Sequence, residues 1–168
     1  DPLDIEGRMT ELNRFLAHNS TTRSAFDMAL YDILGKACGK PLYALLGGAK
    51  RSFWTDNTVG IADPKTMAEK AVGFTKQGFN AVKVKLGTNR RDDVARISAV
   101  RAAVGPNLPI RIDANQGWDQ KTASSTLKEL EQFGIEYAEQ PVAHWDHAGL
   151  ARVRAQTSIP IMADESLF

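Results

Sequence analysis

The chain has 168 residues, 43% of them hydrophobic and 24% charged, an ordinary composition for a globular protein with a sizeable core. Its 21 basic residues stand against 20 acidic ones, and nothing in a formal charge of +1 suggests nucleic acid or an anionic membrane as a partner. One cysteine, Cys38, excludes an internal disulfide framework. It reads as a packing residue near a helix end. No apolar run approaches the ~20 residues of a membrane span. Asp1-Pro2-Leu3-Asp4 has neither the basic nor the apolar character of a signal peptide. A reducing, cytoplasmic setting fits these features. The uncapped acidic start and the stop just after a strand-like run suggest that sequence is missing at both ends.

A short helix is expected at residues 8–17. Residues 20–38 then read as an amphipathic helix, with Ser20, Thr21 and Thr22 offering N-caps. Phe26, Leu30, Ile33, Leu34 and Ala37 share one face, and Gly39 followed by Pro41 stops it. Leu45-Leu46-Gly47-Gly48 makes a natural boundary, dividing residues 1–48 from 49–168. Beyond it, strand-like and helix-like segments alternate. Strands are expected at 54–61, 80–86, 110–113, 136–139 and 159–163. Helices fill 64–76, 92–104, 121–133 and 147–156, the first with proline in its opening turn.

Such alternation requires parallel strands, because each crossover consumes a helix. The alternatives are an open doubly wound sheet and a (β/α)8 barrel. No Gly-x-Gly-x-x-Gly follows the first strand, which weakens the dinucleotide-binding sheet. The expected fold is therefore α/β, a partial (β/α)8 TIM-type barrel. A whole barrel needs about 250 residues, so this chain holds its first five strands.

Charged residues gather at the strand ends. Lys83-Val84-Lys85 closes the second strand, Asp113 the third, Glu139 the fourth and Asp164 the fifth. In a parallel barrel these ends share one rim, where active sites are built. Any one acid there reads as easily as a helix cap. One acid per βα unit, on three successive units, reads better as a convergent set. Converging carboxylates repel unless a cation lies between them. A hard ion with oxygen ligands answers that repulsion, and Mg²⁺ suits a few carboxylates better than Zn²⁺, which recruits His or Cys. His18, His144 and His147 have no metal-ligand spacing with these acids.

Lys83 and Lys85 are two apart on a strand and share a face. A neighbouring ammonium and a divalent cation would both lower the pKa of Lys85, making it a base for proton removal. A Schiff-base lysine is the other option, but that chemistry needs no acidic triad. Asn115 and Glu165 are placed to orient the ligands or lysines. The hydroxyl of Thr58 lies near the end of the first strand and within reach of the same mouth. Trp54, Trp118 and Trp145 read as packing residues.

Four segments carry a resemblance: Lys83-Val84-Lys85-Leu86-Gly87, Ile112-Asp113-Ala114-Asn115-Gln116-Gly117-Trp118, Tyr137-Ala138-Glu139-Gln140-Pro141 and Met162-Ala163-Asp164-Glu165-Ser166. In order and register they resemble the enolase superfamily, whose sites use Lys or His bases with Mg²⁺. The Lys-x-Lys form is similar to the muconate lactonizing enzyme subgroup. Residues 24–48 resemble the helical end of that family's α+β capping domain. The resemblance implies one Mg²⁺ per active site on Asp113, Glu139 and Asp164, binding a substrate carboxylate and stabilising an enediolate. It implies Lys85 as the base and Lys83 as its tuning partner, touching the substrate carboxylate.

Thr55-Asp56-Asn57-Thr58-Val59-Gly60-Ile61 is most similar to dipeptide epimerases, in which a threonine at the place of Thr58 contacts substrate. There, two lysines on opposite faces of the α-carbon exchange its proton, and the second would lie beyond residue 168. The implied partner is a small-molecule substrate, a dipeptide. Separately, an open half-barrel exposes strand edges and apolar faces, so association with its missing half or a homo-oligomer is expected. Cycloisomerases, o-succinylbenzoate synthases and N-acylamino acid racemases share the same motifs, and an inactive barrel fragment is the non-enzymatic alternative.

Overall fold

A computed structural model describes residues 1–167. The chain divides into two compact units, the first from Asp1 to Phe53 and the second from Trp54 onward.

The first unit is helical, with α1 at Ile5–Phe15, α2 at Ser20–Cys38 and α3 at Leu42–Leu45. Helix α1 begins three residues earlier than expected because Asp4 caps it, accepting a hydrogen bond from the Gly7 backbone N–H at 3.1 Å. The bounds of α2 agree with the sequence, but its N-cap is Asn19, which makes no side-chain capping bond. Gly39 ends α2 in the left-handed conformation, with φ 60°. The apolar stripe read along α2 is not covered among the described residues: Phe26 and Ile33 are exposed. Cys38 is also exposed and free, so it is not the packing residue expected.

The second unit is a five-stranded parallel sheet in the order β1-β2-β3-β4-β5. Its strands are β1 Asn57–Val59, β2 Val82–Lys85, β3 Ile110–Asp113, β4 Ile135–Glu139 and β5 Ile161–Met162. The crossovers are α4 Pro64–Lys76, α5 Arg90–Val104, α6 Gln120–Leu130 and α7 His147–Gln156. The outer strands β1 and β5 are shorter than expected, β1 pairing with β2 only over Asn57–Val59 and β5 with β4 only over Ile161–Met162. The helix expected at 121–133 ends at Leu130, and Glu131–Phe133 tighten into a 3₁₀ turn that Gly134 terminates at φ 62°.

The order is sequential and never reverses, which separates barrel progression from a doubly wound sheet. The core confirms the distinction. Val82, Val84, Ile110, Ile112 and Ala138 pack against Met67 and Ala71 of α4, Ile97 and Val100 of α5, Leu127 and Leu130 of α6, and Val153 of α7. All these side chains lie on one sheet face. The intervening residues, Lys83, Lys85, Arg111, Asp113, Tyr137 and Glu139, belong to the opposite face, which in a barrel is the interior. Trp118 is buried as expected, whereas Trp54 and Trp145 are exposed.

Glu131 joins the end of α6 to the turn before β5. One of its oxygens accepts from Ser158 N–H at 2.7 Å and Thr157 Oγ1 at 3.1 Å, and the other pairs with Lys128 Nζ at 2.8 Å. Lys128 and the Ser158 N–H, against burial, hold this carboxyl down to about 2 from an ordinary 4.5. The folded pKa is the lower one, so the stabilisation is fully present above about 4.5 and fades as pH falls toward 2. Urea titrations of wild type and Glu131→Gln should therefore differ most at neutral pH and converge across that acid window. A constant difference between the two proteins would contradict the linkage.

Candidate functional site

Strand register sets the site out in rows. Lys85 pairs with Asp113, Asp113 with Glu139 and Glu139 with Met162, giving one row at the C-terminal strand ends. The row beneath runs Thr58, Lys83, Arg111, Tyr137. Asp164 lies two residues past Met162, in the loop that follows β5.

The two upper rows interlock through ion pairs. Lys83 Nζ lies 2.9 Å from Asp113 Oδ2 and 2.7 Å from Glu139 Oε2. Lys85 Nζ shares the same Asp113 oxygen at 2.6 Å and donates to Asn115 Oδ1 at 2.6 Å. Asn115 reaches that position in the left-handed region at φ 42°, where its own N–H donates to Asp113 Oδ1 at 2.8 Å. Asp113 is 1% exposed and Glu139 6%, so both carboxylates are desolvated and depend on these partners.

Burial pushes the Asp113 carboxyl up, but the hydrogen bonds from Lys85, Lys83 and Asn115 outweigh it and hold the pKa below its ordinary value. Burial likewise works against the Lys83 charge, and Glu139 with Asp113 outweighs it, raising the pKa. Lys83 is thus a fixed cation between two carboxylates. A pair of buried acids that already clasps one cation has the donor chemistry of a hard-metal site.

The third acid is placed differently. Asp164 is exposed, and its backbone N–H donates to Gln140 Oε1 at 2.9 Å. Among the described residues, no group of three or more His, Cys, Asp and Glu side chains lies close enough to hold a metal ion. The structure therefore brings together Lys83, Lys85, Asp113, Glu139 and Asn115, and leaves Asp164 outside that cluster. Glu165 approaches through Asn115, whose Nδ2 is 3.5 Å from Glu165 Oε1. The other oxygen, Glu165 Oε2, is buried with no hydrogen-bond partner among the described residues. Thr58 is exposed, one strand away from Lys83 in its row.

Three residues of this region escaped the sequence reading. Arg111 lies beneath Asp113 on the interior face, bound to Glu136 at 2.7 Å and Asp56 at 2.9 Å, with Tyr137 5.6 Å away under its guanidinium. The signal was available, since Arg111 and Asp113 are two apart on one strand. Gln140 is fully buried at the end of β4. Asp93, in the first turn of α5, is fully buried too. It accepts from the Gly87 and Thr88 N–H groups and from Trp118 Nε1, and pairs with Arg96 at 2.7 Å.

Asp93 thereby ties the loop after β2 to the loop after β3. The two loops touch at Gly87 and Gly117, where a Cβ on Gly87 would lie 2.2 Å from Ala114 O and one on Gly117 2.3 Å from Gly87 O. Only glycine fits that approach.

Sequential parallel strands, helices on one face, and lysines and carboxylates on the other at the C-terminal rim define a (β/α)-barrel protein with a polar interior site. Residues 66–168 match the family model described as "Enolase C-terminal domain-like", and residues 1–47 match the "Mandelate racemase / muconate lactonizing enzyme, N-terminal domain". The chain belongs to the enolase superfamily, in its mandelate racemase/muconate lactonizing enzyme family.

It is similar to the L-Ala-D/L-Glu epimerase of Clostridium acetobutylicum, 41% identical over 98% of this chain and 47% of that protein. Among solved structures it resembles the dipeptide epimerase of Cytophaga hutchinsonii complexed with Mg and D-Ala-L-Val. That match has a TM-score of 0.92 and 44% identity, over 99% of this chain and 45% of that one. It also resembles the dipeptide epimerase of Enterococcus faecalis V583 complexed with Mg and L-Leu-L-Tyr, with a TM-score of 0.93 and 42% identity, over 99% of this chain and 47% of that one. The chain spans about half the length of these relatives. No helix among the described residues is long and apolar enough to cross a membrane.

Proposed function

We propose that the protein containing this chain is a Mg²⁺-dependent dipeptide epimerase that removes and returns the proton α to a carboxylate. The observation that carries the reading is the Lys83–Lys85–Asp113–Glu139 cluster at the C-terminal strand ends. Relatives named as epimerases of dipeptides favour that substrate class over the cycloisomerase alternative.

Asp113, Glu139 and Asp164 would hold the metal. When bound, Mg²⁺ supplies positive charge against the charge that builds on the substrate carboxylate as the α-proton leaves. Lys85 takes that proton, oriented by Asn115, and Glu165 steadies Asn115 in turn. Lys83, held protonated by Glu139 and Asp113, faces the substrate carboxylate as a fixed cation and does not act as the base. Thr58, beside Lys83 on the same face, contacts the substrate. Inversion needs a second acid-base group on the opposite face of the α-carbon, and we place it in sequence beyond these residues. We further propose a cytoplasmic homo-oligomer, whose subunit number sedimentation would count.

The whole protein, with Mg²⁺ and a dipeptide panel in D₂O, should lose one α-proton NMR signal with inversion at that residue. Absence of exchange by folded, Mg²⁺-saturated protein would overturn the epimerase reading.

A further inference from the structure

Gln140 directly follows Glu139, yet its side chain points away from solvent altogether and is 0% exposed. A buried primary amide is unfavourable unless each of its hydrogen-bonding groups is satisfied. Here each one is. Oε1 accepts from the backbone N–H groups of Asp164 at 2.9 Å and Ser166 at 3.2 Å. Nε2 donates to Val142 O at 2.9 Å and Ser166 Oγ at 2.8 Å. Two N–H donors on one side and acceptors on the other fix which end of the amide is oxygen. Ser166 Oγ passes the chain on, donating to His144 O at 3.0 Å, and the His144 N–H donates to Gln116 Oε1 at 2.9 Å.

The backbone of Gln140 is equally committed. Its N–H donates to Met162 O at 2.9 Å and its carbonyl accepts from Gln116 N–H at 2.8 Å. The residue holds φ at 33°, in the left-handed region that side chains rarely adopt. Such a conformation persists where the surroundings over-determine it. The sheet ladder has ended at this level, because β5 stops at Met162. Beyond Met162 the loop carrying Asp164 has no strand neighbour to set its path, and the Gln140 amide takes over that task.

We infer that Gln140 is the positioning residue that fixes the backbone path of the Asp164 loop beside the end of β4, so that a divalent cation held by Asp113 and Glu139 has only the Asp164 side chain to draw in, from a loop that is already ordered. The inference rests on the metal reading above and adds a determinant of affinity that touches neither metal nor substrate. Pre-organisation of this kind acts on binding, because a loop that must be ordered by the ion weakens its capture.

The test uses Gln140→Met, which keeps length and apolar volume and loses every amide bond. A comparison variant, Val153→Ala, opens a cavity in the core on α7. Mg²⁺ affinity is read by calorimetry on the whole protein, without substrate, beside thermal unfolding. Gln140→Met should weaken Mg²⁺ binding by about 10–100-fold, the range for lost partners around metal ligands. Val153→Ala should lower the unfolding temperature and leave Mg²⁺ affinity unchanged. Ser166→Ala, which removes one link of the chain, should weaken binding by a smaller factor.

Wild-type affinity in Gln140→Met overturns the inference alone. Equal weakening in Val153→Ala also overturns it, since general destabilisation then accounts for the loss. Wild-type protein that binds no Mg²⁺ overturns the metal reading and this inference with it.

Discussion

Lys85→Ala should slow α-proton exchange by about 10²–10⁴-fold, the usual contribution of a positioned general base. The loss should fall on kcat, with KM little changed, because Lys85 acts on the proton and not on the carboxylate that anchors the substrate. Lys85→Arg should be as slow. A guanidinium preserves the positive charge beside Asp113 and cannot give up its proton at neutral pH. Alanine and arginine together therefore separate a base from a structural cation.

Lys83→Ala should behave differently. It removes the ammonium that lies 2.9 Å from Asp113 and 2.7 Å from Glu139, so KM for the carboxylate substrate should rise together with a fall in kcat. Deuterium incorporation followed by NMR gives both constants. Exchange that survives in Lys85→Arg would remove Lys85 from the base role.

The parts legible in the sequence were those that depend on local periodicity. Parallel strands follow from alternation, and the rim residues from their place at strand ends. The pairing of Lys85 with Asp113 and of Asp113 with Glu139 in one row then follows from the register. What escaped depends on bonds between distant segments. Nothing near Gln140 announces that its amide will meet Asp164 and Ser166, because that contact exists only once β4 and β5 lie side by side.

Asp93 was hidden for another reason. In Asn89-Arg90-Arg91-Asp92-Asp93 it reads as one more acid in the first turn of a helix, favourable there through the helix dipole. Asp92 answers that description, and its backbone N–H is capped by Asn89 at 3.0 Å. Its neighbour turns inward instead. The exposed face of α2 escaped for the opposite reason, since an apolar stripe predicts burial without saying what covers it.

Asp93→Ala should be the most destabilising single change outside the apolar core, by about 3–5 kcal/mol, because it strands a charged partner and several donors at once. Arg96 NH1 lies 2.7 Å from Asp93 Oδ1, and the arginine side chain is only 12% exposed, so its charge cannot turn fully to water. Trp118 Nε1, 2.9 Å from Asp93 Oδ2, loses its bond in a buried position. Gly87 and Thr88 N–H, at 3.1 and 3.0 Å, lose their shared acceptor. Asp93→Asn should be milder. Its amide oxygen can keep the three N–H partners of Oδ2, while its NH₂ meets the Arg96 donor that Oδ1 accepted.

The urea midpoint measures the loss, and Trp118, the buried indole of the three, reports it through near-ultraviolet dichroism. A double-mutant cycle identifies the cause. If the unpaired Arg96 charge dominates, Asp93→Ala combined with Arg96→Ala should be less destabilised than the sum of the two single changes. Strict additivity, or an Asp93→Ala loss under about 1 kcal/mol, would make Asp93 a solvated surface acid, contrary to its burial. The positional consequence follows from the same bonds. Gly87 and Thr88 follow Lys85 by two and three residues, and Trp118 follows Asp113 by five, so loosening Asp93 loosens the spacing of the base and the first acid.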